Sequence, residues 1–253
     1  MAAAAQRPKL IAVVGPTASG KSDLAVQVAK DYNGEIICAD SLTVRKYLDI
    51  GSAKPSLADQ ASVRHHLLDV AEPCQDFTAA NFKHLATKAI GDIRKKEKLP
   101  ILVGGTGLYI DAVLFDFDFL PPGDRLERQK LNRLSLEDLT RLIEDKGLST
   151  DGIDTRNKRR LIRLLETDGA KPTRHPMSPG TLMIGVNPPS DVLQRQIDSR
   201  VHEMVKAGLE QEVKTLSEKY GWECEGLKAI GYQEWHAYFE GQQTLKQTKA
   251  RIV

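Results

Sequence analysis

The sequence has little cysteine, few aromatic residues and almost no net charge. Of its 253 residues, 3 are cysteine and 6% are aromatic, and 36 basic residues nearly balance 34 acidic ones. The cysteines are odd in number and lack metal-ligand spacing, which favours a protein of the reducing cytosol. A net charge of +2 excludes a globally basic nucleic-acid binder, so an RNA surface would have to come from local clusters of charge.

Long apolar runs are also missing. No uninterrupted run approaches the length of a membrane-spanning helix. The alanines at positions 2–5 are too few for the core of a signal peptide, and Arg7 and Lys9 follow them closely. We therefore expect a cytoplasmic protein without membrane contact, and we predict that it is a monomer. Its hydrophobic content of 41% is enough to bury a sizeable core.

The segment from Leu10 to Leu24 has the pattern of a buried strand, a glycine-rich loop and the start of a helix. Its loop matches G-x-x-x-x-G-K-S, which turns backbone N–H groups toward a phosphate, while the lysine reaches the terminal phosphate and the final hydroxyl can ligate Mg²⁺. Kinases, NTPases and transferases that expel diphosphate all use such loops. We therefore predict a phosphate site formed by Gly15, Thr17, Ala18, Ser19, Gly20, Lys21 and Ser22, with Ser22 as the metal ligand.

Other apolar segments, at 35–39, 100–105 and 181–186, are predicted to be strands. Together with the first strand they indicate an α/β fold, a P-loop NTPase-like parallel sheet flanked by helices. Asp40 and Thr106 follow two of these strands, at the edge of the sheet where ligands bind. Asp40 is therefore a candidate base, although an Asp-Ser pair also commonly starts a turn.

One arginine lies within the apolar stripe of a helix predicted over about 191–220. Arg200 is surrounded in the helical pattern by Leu193, Ile197, Val201 and Met204. A guanidinium at that position needs an anion, either a structural carboxylate or the phosphate compound held by the loop. His65 and His66 have no third ligand at useful spacing, so packing and hydrogen bonding are favoured over metal binding.

A small helical insertion is predicted at 119–150, between a first core segment, 1–118, and a second, 151–253. The run that follows, from Arg156 to Glu166, is strongly basic. Such runs are usually solvated helix faces, but this one has no interleaved acidic residue before Glu166, so contact with phosphates is favoured.

Seven segments of the chain form a specific pattern in their order and spacing: GPTASGKS, ADSLTVRKYLDIGSAKPS, RHHLLDV, PILVGGTGLY, NKRRLIRLLE, IDSRVHEMVKAGLEQEV and KAIGYQE. Taken together, they resemble the tRNA dimethylallyltransferase (tRNA isopentenyltransferase) family. The resemblance covers nearly the whole chain, and the later segments make it far more specific than the phosphate loop alone.

This resemblance implies transfer of a dimethylallyl group from dimethylallyl diphosphate to N6 of the adenosine 3′ of the tRNA anticodon, with release of diphosphate. Asp40 would take the proton from N6, Thr106 would lie at the reacting centre, and Arg200 would neutralise diphosphate charge together with Lys21. Mg²⁺ on Ser22 is the implied cofactor. The tRNA anticodon stem-loop would contact Asp40, Ser41, Leu42, Thr43, Thr106, Arg128, Arg159, Arg160 and Arg163.

The chain departs from the family pattern at several places. Thr43 and Arg45 stand where the family usually has glutamine and tyrosine, and Asn157 replaces a usual aspartate. The family's basic C-terminal segment is expected to be missing, which would weaken tRNA affinity more than the chemistry. Three other functions stay open: prenyl transfer to a free adenine nucleotide, a P-loop small-molecule kinase, and a non-catalytic RNA-binding protein. The basic segment argues against the first, because a mononucleotide would not need it.

Overall fold

A parallel sheet of five strands organises the fold, in the order β3-β2-β4-β1-β5. The computed structural model describes residues 8–253, so the alanines at positions 2–5 lie outside the described residues. All pairings between the strands are parallel, and the carboxyl ends of the strands therefore share one edge. The strands are β1 (Leu10–Val14), β2 (Gly34–Cys38), β3 (His65–His66), β4 (Leu99–Gly104) and β5 (Thr181–Gly185).

Helices connect the strands, as parallel pairing requires. One apolar core lies where α1 covers the sheet, since apolar residues of β1, β2 and β4 pack against Ala25 and Ala29. The helices are α1 (Lys21–Asp31), α2 (Leu57–Ser62), α3 (Ala79–Lys95), α4 (Gly107–Leu114), α5 (Arg125–Arg133), α6 (Leu136–Asp145), α7 (Lys158–Glu166), α8 (Ser190–Lys206), α9 (Leu209–Tyr220), α10 (Trp235–Phe239) and α11 (Leu245–Ile252). Along residues 8–253, none of them combines the length and the apolar character needed to cross a membrane.

The single helix predicted over 191–220 is wrong, because the structure has two helices there. α8 ends at Lys206, and Gly208 adopts a left-handed φ of +104° before α9 begins. Glycine takes this conformation without a Cβ clash, so it can end one helix and start the next in a new direction. The amphipathic pattern continues through the break and conceals it.

The described residues form two compact units, one of residues 8–115 and 177–253 and the other of residues 116–176. The second unit is longer than the insertion predicted at 119–150. It includes α7, which sequence reasoning assigned to the core, because apolar residues of α7 pack with those of α5 and α6: Leu131, Leu139, Ile143, Leu161, Ile162, Leu164 and Leu165. Within the first unit, the Ser178 N–H donates to the Leu114 carbonyl at 3.1 Å, so the chain leaves and re-enters this unit at one place.

Two cysteines 150 positions apart, Cys74 and Cys224, form a disulfide. This pairing differs from the reduced cysteines that the count favours, and their separation along the chain hides it from sequence reasoning. Cys38 is a buried thiol. Beside the disulfide, the Arg45 guanidinium is buried and donates to the carbonyls of residues 72, 73 and 75 at 3.3, 2.8 and 2.8 Å. Arg45 therefore fixes the backbone at residues 72–75, next to Cys74 of the disulfide.

Glu35 is a buried carboxylate on β2, with a side chain that is 3% exposed. It bonds His66 Nε2 at 2.7 Å and Lys98 Nζ at 2.9 Å. Burial alone would raise the pKa of Glu35, but the hydrogen bonds from Lys98 and His66 outweigh burial and lower this pKa from 4.5 to about 2. Within residues 8–253 no cluster of three potential metal ligands exists. The observed contact of His66 is its hydrogen bond with Glu35.

Because the pKa of Glu35 is lower in the folded state, its ionised form stabilises the fold above pH 4.5, and this contribution is lost as the pH falls toward 2. Glu35→Gln should therefore destabilise the protein by about 1.5–3 kcal/mol at pH 7 and by less at pH 3. Urea unfolding at the two pH values measures this difference. The exposed Glu97→Gln is the control, and equal losses for both variants would contradict the prediction.

Candidate active site

The phosphate loop joins β1 to α1 in an unusual backbone conformation. Ala18 and Gly20 have φ values of +62° and +84°, and a Cβ on Gly15 would collide with the carbonyl oxygen of Val186. Among residues 8–253, no side chain caps the N-terminus of α1, and the buried Ser19 hydroxyl has no hydrogen-bond partner. Unpaired donors at a helix N-terminus favour an anion, as the sequence motif predicts.

The segments that follow β2 and β4 meet beside this loop. A Cβ on Gly104 would collide with the carbonyl oxygen of Ala39, so only glycine permits this approach of the two strands. Thr106 Oγ1 accepts a hydrogen bond from the Ser41 N–H at 3.1 Å. These contacts bring Thr106 next to the Asp40 turn, in agreement with the sequence prediction that both lie at one edge.

Only one carboxylate oxygen of Asp40, Oδ1, takes part in the turn. Its Oδ1 accepts the N–H groups of Leu42 and Thr43 at 2.8 and 3.2 Å, which is the Asx-turn geometry. No hydrogen bond to Oδ2 occurs within the described part of the chain. The turn and base interpretations are therefore compatible, because Oδ2 can take a proton while Oδ1 holds the turn.

Lys21 and Arg200 are half-buried cations, and both interact electrostatically with Asp40. The pKa of Lys21 is lowered by burial and then by repulsion from Arg200, and Asp40 partly opposes both effects. Burial also lowers the pKa of Arg200, again opposed by Asp40. Within residues 8–253, Arg200 has no hydrogen bond or ion pair. A structural carboxylate partner is therefore absent from that range, and an external anion would relieve this excess of positive charge.

These groups line one cavity of about 480 Å³ in the first unit. The cavity wall includes Lys21, Asp40 and Arg200, and the predicted tRNA-contacting residues Ser41, Leu42 and Thr43 also lie on it. Much of the remaining wall is apolar, with Ala25, Ile36, Val201, Met204 and Ile230 among its residues. The cavity thus combines an anion-binding end with surface suited to a small apolar group.

Sequence reasoning missed several residues of this wall. The loop from Gly51 to Pro55 and the segment 229–231 both line the cavity, and so does His65. His65 pairs in register with Ile36 of β2, which brings it to the same face. Its Nδ1 lies 2.8 Å from the Val63 carbonyl, and burial lowers its pKa. The His65-His66 pair is visible in the sequence, but only the pairing of β3 with β2 shows that His65 is the one that faces the cavity.

The arginines predicted to contact tRNA differ in their surroundings within the second unit. Arg128 and Arg163 both pair with the buried Glu166 carboxylate, at 2.9 and 3.3 Å, and Arg163 also donates to two backbone carbonyls. Both arginines therefore stabilise the unit itself. Arg159 and Arg160 are exposed on α7, so their proposed contact with phosphates stays a prediction.

Comparison with known proteins places this site in a family. Residues 43–253 match the model of the IPP transferase family. A tRNA dimethylallyltransferase from Anoxybacillus flavithermus is 42% identical over 250 residues, which cover 94% of this chain and 80% of that protein. A second one, from Pediococcus pentosaceus, is 38% identical over 253 residues, covering 95% of this chain and 81% of that protein.

Solved structures agree with these sequence matches. The full-length tRNA isopentenylpyrophosphate transferase from Bacillus halodurans matches with a TM-score of 0.72 and 36% identity, over 97% of this chain and 82% of that one. A eukaryotic dimethylallyltransferase acting on tRNA matches with a TM-score of 0.76 and 25% identity, over 96% and 65% of the two chains. With a P-loop NTPase-like fold and matches over nearly its whole length, the chain belongs to the IPP transferase family, the tRNA dimethylallyltransferases.

Proposed function

We propose that this protein transfers a dimethylallyl group from dimethylallyl diphosphate to N6 of the adenosine 3′ of a tRNA anticodon. The observation that carries the proposal is the pair of half-buried cations, Lys21 and Arg200, that lines one cavity with Asp40. A diphosphate supplies the anion that these cations lack. The acceptor nitrogen then needs a base nearby, and Asp40 provides it.

The donor diphosphate binds the phosphate loop through backbone N–H groups and Lys21. When the C–O bond of the allylic carbon breaks, negative charge grows on the leaving diphosphate, and Lys21 and Arg200 stabilise that charge. The apolar part of the cavity wall suits the five-carbon group, which offers no hydrogen-bonding atoms. Two different regions of one cavity thus match the two halves of the donor.

The N6 amine attacks the allylic carbon as diphosphate leaves. A C–N bond forms, the C–O bond breaks, and the proton lost from nitrogen passes to Asp40. In this arrangement Oδ1 of Asp40 stays in its turn and Oδ2 accepts the proton. The target adenine must leave the stack of the anticodon loop to reach this carboxylate.

Mg²⁺ fits the ligands available at this end of the cavity. The Ser22 hydroxyl at the start of α1 lies on the cavity wall, next to the predicted diphosphate. One hydroxyl, phosphate oxygens and water make an all-oxygen set of the kind that Mg²⁺ prefers. We propose that Ser22 holds Mg²⁺ together with the donor, where the ion would supply further positive charge to the leaving group.

The test is an incubation of the protein with dimethylallyl diphosphate and either an anticodon stem-loop or ATP. We expect diphosphate release only with the stem-loop, whose mass should increase by one C5H8 unit. A stem-loop with guanosine at the target position is the matched control, since it lacks the N6 amine. Prenyl transfer to ATP, or phosphoryl transfer from ATP, would instead support one of the two alternative enzymes.

Arg159 and Arg160 are proposed to contact tRNA phosphates. Replacing both with alanine should weaken stem-loop binding and reduce the slope of log K against log salt by about one for each lost contact. Affinity for dimethylallyl diphosphate should not change. Arg195, exposed on α8 and paired with Asp191, provides the control variant Arg195→Ala. An unchanged salt slope would make the basic run of α7 a solvated face.

A further inference from the structure

Glu212 on α9 receives four hydrogen bonds through one carboxylate. Its Oε2 accepts the N–H groups of Asp49 and Ile50 at 3.1 and 2.8 Å. Its Oε1 accepts the Gly51 N–H at 3.1 Å and the Tyr232 hydroxyl at 2.8 Å. Because charge-assisted hydrogen bonds are stronger than neutral ones, this carboxylate holds all four donor groups firmly in place.

These donors lie in or next to two segments that line the cavity. Asp49 and Ile50 directly precede the loop Gly51 to Pro55, whose first residue is itself a donor, and Tyr232 directly follows the segment 229–231. The two segments are in close contact, since a Cβ on Gly51 would lie 2.6 Å from the Tyr232 ring. Tyr232 is fully buried, and burial followed by the neighbouring Glu212 raises its pKa, so its hydroxyl keeps the proton that it donates.

The opposite end of the loop has a second charged contact, at Lys54, which also pairs with Asp49. Lys54 Nζ donates to the Arg45 carbonyl at 3.0 Å and pairs with Asp69 at 2.6 Å, and its side chain is only 6% exposed. Glu212 therefore fixes the start of the loop at Gly51, and Lys54 fixes it three residues later. The cavity-lining residues Ser52 and Ala53 lie between these two contacts. Loss of the Glu212 anchor would let this part of the wall shift while the Lys54 anchor holds.

We propose that Glu212 is a positioning residue for the transfer reaction, acting through Gly51 and Tyr232 on the wall of the cavity. Glu212 is not itself part of the wall. The inference rests on the proposed function and adds a residue that sets the geometry in which the allylic carbon and the acceptor nitrogen meet. The diphosphate is proposed to bind the phosphate loop, which neither of these two segments forms, so we expect Glu212 to affect the rate of transfer far more than the affinity for the donor.

The sharpest test replaces Glu212 with glutamine, which keeps the volume of the side chain. Either orientation of the amide turns an NH₂ group toward N–H donors, so at least one backbone hydrogen bond is lost. Glu210→Gln is the matched control. Glu210 lies on the same helix and accepts a hydrogen bond from the Tyr238 hydroxyl at 3.1 Å, but it does not bond the loop.

Two quantities are measured for each variant: the Kd of dimethylallyl diphosphate by calorimetry, and the single-turnover transfer rate to a saturating stem-loop. In Glu212→Gln we expect the rate to fall by about tenfold to a hundredfold, because a displaced wall misaligns the reacting atoms. The donor Kd should stay within about twofold of wild type. A residue that only stabilises the fold would not produce this split between rate and affinity.

Several outcomes would overturn the inference. One is a transfer rate for Glu212→Gln equal to that of Glu210→Gln, and another is a parallel loss of donor affinity and rate. If Glu212→Gln does not fold, Tyr232→Phe removes one donor only and should show the same split at smaller size, so a wild-type rate in that variant would also overturn it. Failure of the proposed function is distinguishable, because wild type and Glu210→Gln would then show no transfer.

Discussion

Asp40→Asn is expected to slow single-turnover prenyl transfer by about 10²–10⁴-fold while the fold and substrate binding persist. The asparagine carbonyl can still accept the N–H groups of Leu42 and Thr43, so the turn remains. What is lost is the oxygen that takes the proton from the attacking amine. The measurement uses enzyme in excess over stem-loop, which separates the chemical step from product release.

A residue that only formed a turn would behave differently. Asparagine is as good a turn former as aspartate, so such a variant would transfer the prenyl group at nearly the wild-type rate. Asp23→Asn, in the exposed first turn of α1, is the matched control for loss of one nearby charge. A near-normal rate for Asp40→Asn would refute the base mechanism even though the family assignment would stand.

Lys21→Ala and Arg200→Ala should each raise the barrier to diphosphate departure by about 2–4 kcal/mol, as loss of an oxyanion donor does. Both cations act on the same growing charge, and each already lies in the field of the other. Their effects on kcat/KM should therefore be non-additive in the double variant. The measurement is the set of kcat/KM values for wild type, the two single variants and the double variant.

Arg195→Ala supplies the control for this comparison. Arg195 lies on the same helix as Arg200, but it is exposed and paired with Asp191, so its removal should cost little. Two fully additive losses for Lys21 and Arg200 would mean that Arg200 stabilises something other than the diphosphate. A loss for Arg195→Ala as large as that for Arg200→Ala would point to the helix as a whole.

The sequence predicts the sheet and the phosphate loop well because both leave local patterns. β1, β2, β4 and β5 are short apolar runs, and the structure places each within a residue or two of its predicted bounds. Asp40 and Thr106 are then brought together by a general rule, since parallel strands share one ligand edge. Local pattern and fold class were enough for these residues.

Other features depend on contacts between distant residues, and no local pattern reports them. The charge of Arg128 and Arg163 is visible in the sequence, but the buried Glu166 that pairs with both is not. Glu212 looks like any acidic residue on an exposed helix face, and only the loop at 49–51 reveals its role. The charged residues can be counted from the sequence, whereas the groups with which they pair are known only from the fold.

The hydrogen bond between Ser178 and Leu114 brings together the two points at which residues 116–176 join the first unit. The two ends of residues 116–176 emerge side by side, so a change in the length of this segment can leave the backbone contacts of the first unit in place. The helices α1 and α8, which carry Lys21 and Arg200, belong to that unit, and so do the segments after β2 and β4, which hold Asp40 and Thr106. The inserted segment can therefore vary in length and sequence in related chains while the unit that carries the proposed catalytic residues keeps its fold.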